Sequence, residues 1–298
     1  MTRVIAIGEC MVELSTAGEG LLRRRFAGDA YNTAVYLKRA RPQVDVSFLT
    51  VTGDDPLSGE MRRAWAAEGV QDDLAFVDPA RRPALYLIET DERGERRFHY
   101  WRSESAARGW FTALQAAGGT AALAGADLVY VSGISLAILP EDQRPEAIAL
   151  LAALPEPTRL AFDPNLRPAL WASLDEARAC VEAMARIADI VLPSRQDLEV
   201  LFGDPSDRAR IERLADLGSR EIAMTAEADD SLVWDGLQLR ALTPSAIKAV
   251  DTSGGGDSFN GAYLAARLTG ASPEQAAIEG LELAARVVQQ PGALIPKG

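Results

Sequence analysis

The segment Asp251-Thr-Ser-Gly-Gly-Gly-Asp257 places three consecutive glycines between two carboxylates. An amphipathic helical pattern, Ser258–Leu268, follows it and stops at Gly270. A glycine-rich turn that feeds a helix lets backbone N–H groups converge on one point, and the helix dipole adds partial positive charge there. Gly254, Gly255 and Gly256 would supply those amides, which suit an anion and negative charge developing on a phosphoryl group in transfer. Asp257, at the helix start, can accept a proton from a hydroxyl that attacks phosphorus. The plainer alternative is that Asp257 caps the helix and the glycines only turn the chain. The whole pattern Asp-Thr-x-Gly-x-Gly-Asp is far more specific than its glycines alone. No Gly-x-x-x-x-Gly-Lys-Ser/Thr pattern occurs in the chain, and no Gly-x-Gly-x-x-Gly follows the first expected strand. Both observations disfavour the commoner phosphate-binding loops.

Composition narrows the setting. The chain has 298 residues, 48% of them hydrophobic, enough for one large core. A formal net charge of -12 lacks the basic footprint that nucleic acid or an anionic membrane requires. No apolar run is long enough to span a bilayer, and Met1–Gly8 leads straight into a strand without a signal-peptide pattern. The two cysteines, Cys10 and Cys180, give no disulfide framework. A cytoplasmic protein is therefore expected. The single histidine, His99, counts against a His-rich metal site or a Ser-His-Asp triad.

The elements that must position these residues follow from periodicity. Val4–Ile7, Val46–Val51, Leu128–Val131, Leu160–Phe162, Ile190–Leu192 and Ile222–Met224 are short apolar runs that suit strands covered on both faces. Helical stretches such as Asn32–Arg39, Ser58–Ala67, Glu146–Ala153 and Asp175–Ala188 alternate with them. That order predicts an α/β fold with a mainly parallel sheet wrapped by helices. Pro83–Thr90 and Glu95–Arg102 break the rhythm and predict a hairpin, with its turn at Asp91-Glu-Arg-Gly94. On it Tyr86 and Ile88 share a face, as do Phe98, Tyr100 and Arg102, while His99 points the other way. Such a face could cover a polar ligand or simply pack on the domain.

Asp251–Asp257 closely resembles the C-terminal signature of the ribokinase/PfkB-type carbohydrate kinases. Phe26-Ala-Gly28-Asp-Ala-Tyr-Asn32 resembles that family's Gly-Gly-x-x-x-Asn segment, with Ala27 at its first glycine. Within the family, Gly8-Glu9-Cys-Met-Val-Glu13, Leu85-Tyr86, Phe98-His-Tyr100-Trp-Arg102, Ser132-Gly-Ile134 and Phe162-Asp163-Pro-Asn165-Leu-Arg167 are most similar to bacterial 2-keto-3-deoxygluconate kinases. The resemblance covers essentially the whole chain. It implies a ribokinase-like three-layer α/β/α domain over residues 1–298, with a small β lid formed from about residues 10–25 and 83–103.

The implied activity is ATP-dependent phosphorylation of 2-keto-3-deoxy-D-gluconate at its terminal hydroxyl. Fructokinase-like or ribokinase-like kinases, and a weakly catalytic sugar-acid binder, are the alternatives. Carried over residue by residue, Asp257 would be the base, aided by Gly254–Gly256 and Arg167. Gly28, Asn32, Tyr86, Tyr100, Arg102, Ile134 and Arg167 would face the sugar. Ser194, Thr225, Gly254, Gly256, Gly292 and Ala293 would face the nucleotide. Asp163, Asn165 and Asp197 would help hold Mg²⁺ indirectly, through water. The resemblance also leaves room for a monovalent cation and implies a homo-oligomer. It departs from the family at Glu227, where relatives carry a glycine in the nucleotide-side turn. Glu9 and Glu13 are open between substrate contact and lid structure, and Arg23-Arg24-Arg25 reads as a solvated or subunit-contact run.

Overall fold

Every apolar run expected to be a buried strand forms one in the computed structural model, which describes residues 2–90, 96–227 and 229–297. The strands are β1 (Arg3–Ile7), β2 (Met11–Thr16), β3 (Leu22–Ala27), β4 (Asp45–Thr52), β5 (Val70–Gln71), β6 (Ala75–Val77) and β7 (Leu85–Thr90). They continue with β8 (Arg96–Trp101), β9 (Leu128–Ser132), β10 (Arg159–Asp163), β11 (Ile190–Val191), β12 (Glu221–Met224), β13 (Ser231–Trp234) and β14 (Leu239–Leu242). Ten of them form one sheet in the order β14-β13-β12-β11-β10-β9-β1-β4-β5, with β6 beside β4. Pairing is parallel from β12 through β5 and antiparallel only at the β12-β13-β14 edge.

Both faces of this sheet are covered, which is why its strands read as continuous apolar runs. Ile5 and Ile7 of β1 join Leu49, Val129, Val131, Phe162, Val191 and Met224 on one face, under the helices Trp110–Ala116, Arg144–Ala152, Leu174–Ile187, Arg195–Phe202 and Asp207–Leu217. Val4 and Ala6 join Phe48, Tyr130, Ala161 and Leu192 on the other. That face lies under Asp29–Ala40, Pro56–Glu68, Gly255–Leu268 and Pro273–Val287. The result is three layers, α/β/α, as the βαβ rhythm predicts. The chain leaves β1 toward β4 on one side and later returns to β9 on the other. The carboxyl ends of β1 and β9 thus flank a topological switch point, where α/β sheets carry their ligands.

The second sheet has four strands in the order β3-β2-β7-β8. β7 and β8 pair antiparallel, with Tyr86 opposite Tyr100 and Ile88 opposite Phe98, so the shared aromatic face expected from alternation is present. The expected turn at Asp91–Gly94 lies outside the described residues. β2 adds to β7 in parallel, setting Glu13 beside Tyr86.

Two helices of one layer approach unusually closely. A Cβ on Gly261 would lie 2.7 Å from Cβ of Tyr36 and 2.8 Å from both Leu37 N and Thr33 O. Backbone atoms cannot yield, so glycine at this crossing is a packing requirement. Gly261→Ala should lose roughly 1–3 kcal/mol in urea unfolding, because overpacking outweighs a helix-propensity gain of about 1 kcal/mol. Gly59 lies within Pro56–Glu68, where an added Cβ meets only Arg63 Nη1 at 3.6 Å. Gly59→Ala should therefore stabilise, by up to about 1 kcal/mol.

Candidate active site

The glycine turn is built as a helix start. Gly254 has φ 74°, a left-handed conformation that glycine adopts without strain, and precedes Gly255–Leu268 as its N-cap. A side chain there would strike the backbone of Ala293, whose carbonyl oxygen lies 2.4 Å from the added Cβ. Asp251 braces the turn by accepting from Ser253 N at 3.0 Å and from the Gly292 amide.

Asp257 does not cap its helix with its side chain; no side-chain cap bond is present at that end. Instead Asn32 Nδ2 donates to Asp257 Oδ2 at 2.8 Å, across the helix pair that Gly261 brings together. Gly28 begins the helix Asp29–Ala40 with extended backbone, φ 173°. Glycine is needed there because the space of a Cβ is filled by the Glu9 carbonyl, 2.1 Å away.

Around these residues lies a cavity of about 990 Å³. Asp257, Gly254, Gly256, Arg167, Gly28, Asn32, Tyr86, Tyr100, Arg102, Ile134, Ser194, Thr225, Gly292, Ala293, Asp163, Asn165 and Asp197 all line it. Of the residues assigned to the site from sequence, only Gly255 does not; its added Cβ would meet Val288 at 2.9 Å. The contributions come from the carboxyl ends of β9 to β12, the glycine turn and the inner face of the four-stranded sheet. Ser194 also caps Arg195–Phe202, accepting from Asp197 N at 3.0 Å.

Sequence reasoning missed several lining residues. Asp29 accepts from Asn165 Nδ2 at 3.0 Å and from the Ser132 hydroxyl. Asn260, one turn beyond Asp257, donates to Asp163 Oδ2 at 2.8 Å. Arg23 and Arg25 face the cavity and pair with no carboxylate among the described residues, whereas Arg24 between them turns outward to Glu60. The sequence reads this run as one solvated or subunit-contact unit; strand alternation could have separated its two outer arginines from the middle one.

The two glutamates also part company. Glu9 is buried, accepting from Arg102 Nη2 at 2.5 Å and from the Ser105 hydroxyl. Glu13 lines the cavity and accepts from Tyr86 Oη at 2.5 Å. Part of the Arg102 fork is thus already committed, but its Nε is buried with no hydrogen-bond partner among the described residues. Glu227 sits at φ 37°, the backbone a glycine would take, but its side chain is exposed and does not line the cavity. His99 pairs with Glu89 at 2.7 Å on the outer face of its sheet. Cys10 is buried against the Trp65 indole.

A family profile described as pfkB family carbohydrate kinase matches residues 1–297. The chain belongs to that family. Among pfkB relatives, the 2-dehydro-3-deoxygluconokinase of Escherichia coli strain K12 is 40% identical over 305 residues, covering 99% of this chain and 97% of the relative. The 2-dehydro-3-deoxygluconokinase of Dickeya dadantii strain 3937 is likewise 40% identical, over 98% of this chain and 96% of its own. A solved putative ribokinase II from E. coli, in complex with ATP and Mg²⁺, aligns with a TM-score of 0.84 at 20% identity, covering 98% of this chain and 94% of that one. At that identity the likeness is one of fold, and it makes this pfkB kinase ribokinase-like.

The electrostatics of this pfkB site are those of crowded carboxylates. Burial, then the charges of Asp197, Asp257 and Asp29, hold Asp163 well above the usual carboxylate range. Burial raises Asp197 too, against the opposing pull of Arg167. Among the described residues no group of three or more His, Cys, Asp or Glu can hold a metal ion directly. The donor set fits a magnesium ion that keeps its own water. Asp257 is pushed up to about 7, by burial first and the Asp29 charge second, with Asn32 and Arg167 pulling down.

A carboxyl raised in the folded state contributes stability that is present below its unfolded pKa and lost as pH rises through the folded one. Asp257→Asn should therefore raise Tm more at pH 8 than at pH 4. In carbon NMR the Asp257 carboxyl should titrate near 7. Asp29→Asn should move that midpoint down.

Proposed function

We propose that this kinase phosphorylates 2-keto-3-deoxy-D-gluconate at its terminal (6-) hydroxyl with ATP, and that Asp257 is the base. The observation that carries the reading is Asp257 itself: a carboxylate at a helix start, beside the glycine turn, held by Asn32 at 2.8 Å and tuned to about 7. A base with that affinity is about half ionised at neutral pH and basic enough to take a hydroxyl proton in the transition state. Its oxygen is fixed before the substrate arrives, so little reorganisation is needed at the moment of transfer.

The substrate class is supported by the residues facing Asp257 and by the 40% identity to the E. coli kinase. A 2-keto-3-deoxy sugar acid brings a carboxylate, a keto oxygen and several hydroxyls. The Arg102 guanidinium, which lines the cavity, suits the carboxylate. Glu13 and the Tyr86 and Tyr100 hydroxyls suit the polyol. Arg23, Arg25 and Arg167 line the cavity without a carboxylate partner among the described residues, so they are the local charges that attract two anions to a chain of net charge -12.

In the proposed reaction the sugar's terminal oxygen attacks the γ-phosphorus in line as its proton passes to the Asp257 carboxylate. The bond from phosphorus to the bridging oxygen breaks, and ADP leaves. The Gly254–Gly256 turn and Arg167 offset the charge that develops on the phosphoryl oxygens. Ser194, Thr225, Gly292 and Ala293 line the nucleotide side. Asp163, Asn165 and Asp197 would hold Mg²⁺ through water, and the ion would supply positive charge to offset that of the phosphates. The chain works as one unit, with the four-stranded sheet as a lid that keeps water from the phosphoryl group.

Asp257→Asn should lower kcat about 10²–10⁴-fold with little change in sugar affinity. Retained turnover would remove Asp257 as the base. In the wild type, kcat/KM should fall as pH drops below about 7, because protonation removes the base. A coupled ADP-release panel tests the substrate: the gluco and galacto sugar acids should outpace fructose and ribose, and turnover confined to neutral sugars would sink the assignment.

A further inference from the structure

One face of the helix Asp29–Ala40 does more than carry Asn32. Asn32, Tyr36 and Arg39 stand at i, i+4 and i+7, a single stripe along the helix. Asn32 holds Asp257. Tyr36 Oη donates to the Ala293 carbonyl at 2.6 Å and accepts from Ile295 N at 3.2 Å. Arg39 Nη1 donates to the Ile295 carbonyl at 2.6 Å, while its Nε and Nη2 clamp Glu68 at 2.9 Å each. The guanidinium also lies 5.7 Å from the centre of the Tyr36 ring. Lys297 extends the arrangement, donating to the Ala67 carbonyl at 2.6 Å and lying 3.4 Å from Glu68.

The segment held in this way, residues 292–297, forms neither helix nor strand, so its backbone groups depend on side chains for partners. It is also one wall of the glycine turn. The Ala293 backbone fills the space a side chain at Gly254 would need, and the Gly292 amide is bound by Asp251. Tyr36 is almost fully buried and does not line the cavity, and neither does Arg39. Their hydrogen bonds reach toward the glycine turn through the tail.

We infer that Tyr36 and Arg39 are positioning residues for phosphoryl transfer. They seat the tail 292–297 so that it shapes the Gly254 turn, and thereby set how the phosphate donor is held without touching it. This rests on the reading of that turn as the phosphate site. The sugar side should be indifferent to them, because Asn32 keeps its bond to Asp257 whether or not the Tyr36 hydroxyl is present.

The test is Tyr36→Phe in the full chain, which keeps the buried ring and removes one oxygen. The dissociation constant of a non-hydrolysable ATP analogue and the KM for ATP should both rise about tenfold, as expected when two part-buried backbone groups lose their partner. The KM for the sugar should stay within about twofold. Arg39→Gln should act in the same direction, and Arg39→Lys should recover part of the loss, since an ammonium can still reach the Ile295 carbonyl. A lower Tm with unchanged nucleotide affinity, or equal shifts for both substrates, would overturn the inference. Should Tyr36→Phe fail to fold, the Arg39 pair carries the same comparison. The nucleotide readout does not depend on which sugar is accepted. If the sugar acid is not a substrate the assignment above fails, and this inference is still decided with whichever sugar is turned over.

Discussion

The contact between Asn32 and Asp257 depends on two helices lying closer than ordinary side chains permit. Gly261 makes that approach possible, and with it the starts of Asp29–Ala40 and Gly255–Leu268 meet at one point beside the switch in the sheet order. Both helix dipoles then contribute positive potential to the same place. The surrounding carboxylates, Asp29, Asp163, Asp197 and Asp257, pull the other way. Opposed, partly buried charges like these are a physical reason for the site to be less stable than an apolar core of the same size.

The division of labour among the arginines follows from strand geometry. β3 points Arg23 and Arg25 inward and Arg24 outward, so three like residues in a row have two roles. Arg102 is different again: Glu9 fixes its plane, and its Nε is buried without a hydrogen-bond partner among the described residues. In a chain with 43 acidic and 31 basic residues, attraction for anions is a local property of which cations lack a partner.

Much of this was legible in the sequence. The parallel core was readable because strands covered on both faces must be apolar throughout, and Val4–Ile7 or Leu128–Val131 leave no other reading. The glycine turn was readable because few purposes need three consecutive glycines before a helix. What sequence could not supply was the side-chain partner. Nothing in Gly8-Glu9-Cys-Met-Val-Glu13 says that the first glutamate meets Arg102 and the second Tyr86, because those pairings cross between separate segments of the chain. The reason for Gly28 was hidden in the same way: its constraint is a carbonyl nineteen positions earlier, not its own backbone angle. Asp29 and Asn260 were passed over because each reads as an ordinary polar residue on a helix until the opposite wall is in place.

The cavity draws on distant parts of the chain, with Gly28 and Asn32 at the first helix and lining residues between Asp251 and Ala293 from beyond residue 250. Synthesis proceeds from the amino terminus, and domains begin to fold as they emerge. A nascent chain would therefore carry the sheet, the aromatic face and Arg102 well before it carried the glycine turn. The turn is shaped by Ala293, far along the chain from Asn32. The order of residues along the polypeptide thus leaves the turn and its wall to be completed after the sheet they rest on.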